Sequence, residues 1–387
     1  MLDLDAPAQR RAAGESTPGP APAPGPAPAA PPPVMLGGVA TAAPRHLLRQ
    51  EDVVRRVRAL FGERRLDIER LLPAFGNAGI ETRHSCVPIE WYLEPSDWKT
   101  RNALFIDNAI DLLAEAAEAC LAQAGLSCDA IDGLVTVSTT GIATPSLDAR
   151  LMERLAFRRD VARLPVFGLG CAGGVLGLSR AAALAQSLAV GRKDGAKVLC
   201  LVVELCGLTF RANDPSKSNV IAAALFGDGA AAVLLEAAPD GKMAAGSAKL
   251  GPAGEYTWPQ SLDVMGWEME NDGLGVLFSR DIPAHIHERM GPAVDTFLGR
   301  HGLSRDAIDG YICHPGGAKV IGALEEVFGL PEGGLSAARG VLRDYGNMSA
   351  VTVLFVLERL HKAGLKGRYL MTALGPGFTA GFQILEA

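Results

Sequence analysis

The sequence lacks the features that would place it in several large classes. Its seven cysteines form no CxxC pair and no regular framework. Neither a zinc ribbon nor a disulfide scaffold is written in it, and free thiols in a reducing, cytoplasmic compartment are expected. Positive charge is not in excess: 37 Lys and Arg stand against 43 Asp and Glu, a formal net charge of −6. A nucleic-acid partner would call for a basic stripe, and none is expected. No apolar run is long enough to span a bilayer; the best, Val220 to Leu235, is broken by Gly227-Asp228-Gly229, so stable membrane insertion is not expected. Met1 to Asp5 is acidic with no apolar segment behind it, unlike a targeting signal.

What is present is a large apolar fraction, 48%, with 45 glycines in 387 residues. That length gives room for about two domain-sized units and a core that needs no staple. Ten of the 25 prolines fall between Pro7 and Pro33. Such a segment has nothing apolar to bury, so residues 1–34 are expected to be an extended, disordered tail outside the fold.

Apolar β-branched runs alternate with longer helical patterns. Residues 131–138 and 197–204 read as buried strands; Asn102 to Ala124 and Val175 to Val190 carry apolar residues at helical spacing. The alternation predicts α/β layers. An internal repeat sharpens this: GLSCDAIDG at 125–133 returns as GLSRDAIDG at 302–310, eight of nine positions identical at an offset of 177. Two copies of one α/β unit are implied, an N-terminal half over 35–244 and a C-terminal half over 245–387, with turn-rich sequence from Ala237 to Gly251 between them. The same offset brings Cys171 and Asn347 within one residue of equivalence, each before a helical stretch. Paired helices of that kind can aim both N-termini at one cleft.

Cys171 stands out. It follows an apolar stretch and precedes Gly173-Gly174, and a thiol at a strand-to-helix turn is expected to have a lowered pKa. Cys86, Cys120, Cys128, Cys200, Cys206 and Cys313 read as inert buried thiols. Gly168, Gly170 and Gly173 spell a GxGxxG, but no acid follows at the spacing a dinucleotide site requires. His314 ends an apolar strand and opens His-Pro-Gly-Gly, a loop suited to catalysis. His285 and His287 are two apart and face different ways, so no metal site is expected. Asn347 could serve as a helix cap or donate its amide into the cleft.

With these residues in place the sequence resembles the type III polyketide synthases, the chalcone and stilbene synthase family. The resemblance rests on GCAGG at 170–174, LFGDGAAAV at 225–233, HPGG at 314–317, YGNMS at 345–349 and GPG at 375–377, in order from about residue 36 to the end. It implies a thiolase-like, duplicated αβαβα layered fold, usually a homodimer. It implies that Cys171 carries the growing acyl chain and that His314 helps form the thiolate. His314 and Asn347 would bind the malonyl thioester carbonyl. Phe226 and Phe278 would be aromatic gatekeepers, and Thr139, Thr209, Gly266 and Ser349, with Gly375-Pro376-Gly377, would shape the cavity. Thr144 would cross the dimer interface. No cofactor is implied: acyl-CoA and malonyl-CoA are substrates. The lysine-rich run of plant members is missing, leaving Arg70 and Arg83 as the CoA-phosphate candidates.

Residues 265–283, MGWEMENDGLGVLFSRDIP, resemble bacterial members that make alkylpyrones or alkylresorcinols from fatty acyl starters. Gly266, Thr139 and Ala172 would leave room for such a chain. The alternatives are a synthase using malonyl or aromatic starters, and an initiating ketoacyl-acyl-carrier-protein synthase of the same fold. The latter usually carries His-Gln-Ala-Asn where this chain has His-Pro-Gly-Gly.

Overall fold

The computed structural model describes residues 31–62, 68–238 and 248–387. The expected disordered tail lies outside the described residues up to position 30, as does the expected 244/245 boundary between the halves. The fold begins one residue earlier than the sequence implied: Val34 is buried and opens the first strand.

Thirteen strands run in chain order: β1 (Val34–Ala42), β2 (His46–Arg49), β3 (Thr82–Ser85), β4 (Gly133–Ser138), β5 (Ala162–Phe167), β6 (Ala196–Leu205), β7 (Asp228–Ala237), β8 (Lys249–Thr257), β9 (Met265–Glu270), β10 (Gly273–Phe278), β11 (Gly310–Cys313), β12 (Arg368–Gly375) and β13 (Thr379–Glu386). Nine of them form one sheet in the order β11-β12-β13-β8-β1-β7-β6-β4-β5. It is two sheets joined at a narrow seam, because β1 meets β8 only through Val34–Leu250 and Met35–Lys249.

The duplication predicted from the repeat is visible element by element. After each copy of the repeat a short 3-10 turn, Cys128–Ala130 or Arg305–Ala307, leads into β4 or β11. Each of these pairs in parallel with a later strand, β6 or β12. Each of those pairs antiparallel with the next, β7 or β13.

The layers follow from strand alternation, in which successive side chains face opposite sides. Along β6, Val198, Cys200 and Val202 face one core, while Leu199, Leu201 and Val203 face the other. The second core is covered by helix Trp98–Ala124, capped by Asp97 accepting from the Thr100 N–H at 2.7 Å and closed by Gly125 at φ 65°. In the first core, between the two sheets, lie helices Gly173–Ala189 and Thr352–Ala363. Helices Ile282–Arg300 and Ala318–Val327 pack together on the C-terminal half. The central pair carries the candidate site at its N-terminal ends.

Candidate active site

Cys171 sits in the 3-10 turn Gly170–Ala172, directly before helix Gly173–Ala189. The turn is fixed from three sides. Gly170 has φ 47°, and a side chain there would meet the Pro376 ring at 2.5 Å. Gly375 is pressed against Leu169 and Ala172 in the same way. The Gly170 N–H donates to Thr139 Oγ1 at 3.0 Å. The Gly-Pro-Gly motif is therefore a clasp on the Cys171 turn; its Gly377 N–H donates to the Met265 carbonyl at 3.2 Å and ties the clasp to β9.

The partner turn Ser349–Val351 precedes helix Thr352–Ala363. That helix starts 179 residues after its equivalent, two more than the sequence offset, so Asn347 stands ahead of its turn rather than inside it. Its amide orientation is set by two bonds: Oδ1 accepts from the Ser349 N–H at 2.8 Å, and Nδ2 donates to the Gly316 carbonyl at 3.1 Å. Its backbone is clipped to the Phe226 region, Asn347 N–H to the Leu225 carbonyl at 2.8 Å and Gly227 N–H to the Asn347 carbonyl at 3.1 Å. Ser349 shares the chamber lining with Cys171.

His314 follows β11, with its N–H donating to the Thr372 carbonyl at 2.9 Å. The side chain is buried and neither ring nitrogen has a protein partner. Burial drives its pKa down to about 3, so the imidazole is neutral. Burial pushes the Cys171 thiol up to about 12; Ser349 and Asn347 pull the other way, and the Glu204 carboxylate raises it further. The thiolate expected from the helix end is not obtained, because the cost of burying a charge exceeds what one helix terminus returns.

Glu204 is a residue the sequence reading did not assign. It closes β6, fully buried, with Oε2 accepting from the Thr139 and Thr140 N–H groups, each at 3.0 Å, and from Thr140 Oγ1 at 2.8 Å. Oε1 has no partner, and burial pushes the carboxyl up to about 7. A carboxylate ending an apolar run was its sequence signal.

Two cavities meet here. Cys171, Ser349, Gly266, Phe226, Phe278 and Pro376 line a small chamber, together with Trp267 of β9. Phe226 also borders a second, mainly apolar cleft, walled by Leu48, Val53, Val57, Leu60, Ile89 and Phe210 among others.

Residues 85–239 match the family model of the N-terminal domain of chalcone and stilbene synthases, and residues 250–385 that of the C-terminal domain. The chain belongs to the chalcone and stilbene synthase family. A putative chalcone synthase of Bacillus subtilis is 38% identical over 88% of this chain and 95% of its own length. A 1,3,6,8-tetrahydroxynaphthalene synthase of Streptomyces peucetius is 39% identical over 91% and 92%. The crystal structure of the Streptomyces coelicolor 1,3,6,8-tetrahydroxynaphthalene synthase, a bacterial type III polyketide synthase, superposes with a TM-score of 0.83 at 27% identity, covering 91% of this chain and 98% of that one. The protein is accordingly a type III polyketide synthase with the thiolase-like α/β fold, an acyltransferase of the decarboxylating condensing kind.

Within this chalcone synthase-like frame the remaining expected site residues lie along the cleft, at the Cys171 turn and on the surface. Thr209 lines the apolar cleft rather than the chamber, and its hydroxyl donates to the Cys206 carbonyl at 2.7 Å. Thr139 braces the nucleophile turn. Thr144 is exposed, close in sequence to exposed Ile142. Arg70 is exposed at the end of the short helix Ile68–Leu71. Arg83 must be corrected as a phosphate ligand. It is buried, with Nη1 donating to the Ala223 and Phe226 carbonyls at 2.7 and 3.0 Å, and Nη2 to the Ala224 carbonyl and Gln50. Its guanidinium is committed to holding the helix before Phe226. Among the described residues no cluster of three or more His, Cys, Asp and Glu could hold a metal, and no helix is long and apolar enough to cross a membrane.

Proposed function

We propose that this synthase loads an acyl-CoA starter with an extended apolar acyl group onto Cys171, extends it with malonyl-CoA and closes the product to an alkylpyrone or alkylresorcinol-type ring. The observation that carries the starter class is the cleft adjoining the chamber at Phe226, walled chiefly by aliphatic and aromatic side chains. Burying each methylene of a starter there is worth about 0.8 kcal/mol.

In this reading the neutral, unpartnered His314 imidazole takes the Cys171 proton as sulfur attacks the starter thioester and returns it to the CoA thiolate that leaves, so no buried ion pair need stand beforehand. An amide has two N–H donors. Asn347 uses one on Gly316 and turns the other toward Cys171, where it meets the thioester oxygen of the malonyl group and the enolate formed as carbon dioxide leaves. One such donor is worth about 100- to 1000-fold in rate. The enolate carbon then attacks the acyl thioester on Cys171, freeing the thiolate. No cofactor is required, because malonyl decarboxylation supplies the carbanion. CoA phosphates would meet surface bases, Arg70 among them.

The enzyme is proposed to work as a homodimer. β5 is the sheet edge, and it exposes Leu164 and Phe167; Thr144 would lie at the same interface. A second reading, a tetrahydroxynaphthalene-type product, is favoured by the 39% identical relative of that name. Purified enzyme with malonyl-CoA and a panel of acyl-CoA starters decides between them by mass spectrometry. The first reading expects pyrones or resorcinols whose mass tracks the starter. Tetrahydroxynaphthalene from malonyl-CoA alone, with long starters untouched, would replace it. In either case Cys171→Ala should give no product.

A further inference from the structure

Trp267 stands on β9 directly after Gly266, where an added side chain would meet only open space. Its indole faces the Cys171 chamber and packs on Phe226, ring centroids 5.6 Å apart with planes at 34°. Phe226 also packs on Phe278 at 5.7 Å, and its other neighbours are Cys206 and Ala222. Among the residues lining the two cavities, Phe226 is the one common to both. The Phe226 backbone cannot drift, since it is clipped to Asn347 and to Arg83. Only its side chain can move, and what opposes that movement on the chamber side is the pair of rings Trp267 and Phe278, of which Trp267 packs at the smaller interplanar angle, 34° against 47°. The hairpin carrying Trp267 is itself braced at its tip by Arg211, which reaches Asp272 at 3.1 Å and Asp214 at 2.5 Å.

We propose that Trp267 is a specificity-determining residue: it holds the Phe226 ring as a partition between chamber and cleft, and so limits how many malonyl-derived units are added before the chain cyclises. Each condensation frees Cys171 and leaves the chain two carbons longer as a CoA thioester; Cys171 takes the chain back with release of CoA, and the reloaded thioester must stay within reach of the next enolate. A chamber closed by a fixed ring limits how far the chain can grow before it crowds and folds back on itself. Truncating Trp267 enlarges the chamber and releases Phe226, which merges the two spaces. The inference rests on the condensing activity and not on which starter is preferred.

The test compares wild type with Trp267→Ala, Trp267→Leu and Trp267→Phe, each supplied with malonyl-CoA and hexanoyl-CoA, with products resolved by mass spectrometry. The Ala and Leu variants should raise the ratio of more-extended to less-extended products by about tenfold. The Phe variant, which keeps an aromatic brace, should return the wild-type ratio. A merely structural Trp267 would change total turnover and melting temperature but not that ratio. Unchanged ratios in Ala and Leu overturn the proposal, as does a Phe variant that shifts as far as Ala. If Ala does not fold, Leu and Phe decide. Wild-type enzyme that yields no product from any CoA starter would fail the condensing reading instead, and that outcome is distinct.

Discussion

At the scale of single residues the site is a set of groups whose ionisation is governed by burial. Glu204 shows the consequence most directly. Burial pushes its carboxyl up to about 7, against an ordinary 4.5. The folded protein keeps a proton that the unfolded chain has released, so its contribution to stability is fully present below about pH 4.5 and is lost as pH rises through about 7. His314 runs the other way: held at about 3 against an ordinary 6.5, it favours folding above pH 6.5 and loses that contribution as pH falls. Replacing Glu204 by Gln removes the first effect and leaves the second. Urea unfolding across this window should show the variant gaining on wild type by about 3 kcal/mol from pH 4.5 to 7. Parallel stability profiles would show that the Glu204 proton is bound no more tightly in the folded state.

At the scale of elements, the decisive contact is between the two equivalent helix starts. Alanine normally favours a helix over glycine by roughly 0.5–1 kcal/mol. At Gly174 the sign should reverse, because a Cβ would come 2.2 Å from the Ala350 carbonyl oxygen and 2.6 Å from Val353 Cγ1. Gly174→Ala is expected to lower stability by about 1–3 kcal/mol, as overpacking does, and to slow condensation by forcing the Cys171 and Ser349 turns apart. Thermal melts and malonyl-CoA turnover measure both; a variant as stable and active as wild type would mean the helices can separate at no cost. The repeat at 125–133 and 302–310 made this pairing foreseeable. It did not fix the register, since the helices are offset by 179 residues, not 177.

At the scale of the whole molecule, β5 leaves a nine-stranded sheet with one edge bearing Leu164, 37% exposed, and Phe167, 59% exposed. Unpaired edges with apolar side chains invite pairing. Wild type should sediment as the proposed dimer and a Leu164→Lys, Phe167→Asp double variant as a monomer. A monomeric wild type would end the homodimer proposal, and a dimeric double variant would place the interface elsewhere.

The sequence by itself determined the duplication, the order of the motifs, the nucleophile turn and the family, because each is written in local pattern: a repeated block, glycines before a helix, His-Pro-Gly-Gly after a strand. Tertiary structure alone decided the protonation of Cys171 and His314, the removal of Arg83 from the phosphate candidates, the place of Thr209 in the cleft, and the wall that Trp267 makes with Phe226. Those outcomes depend on which distant segments exclude water from a side chain or occupy its donors. Burial of that kind is a sum over neighbours brought together by the fold, and no stretch of chain carries it alone.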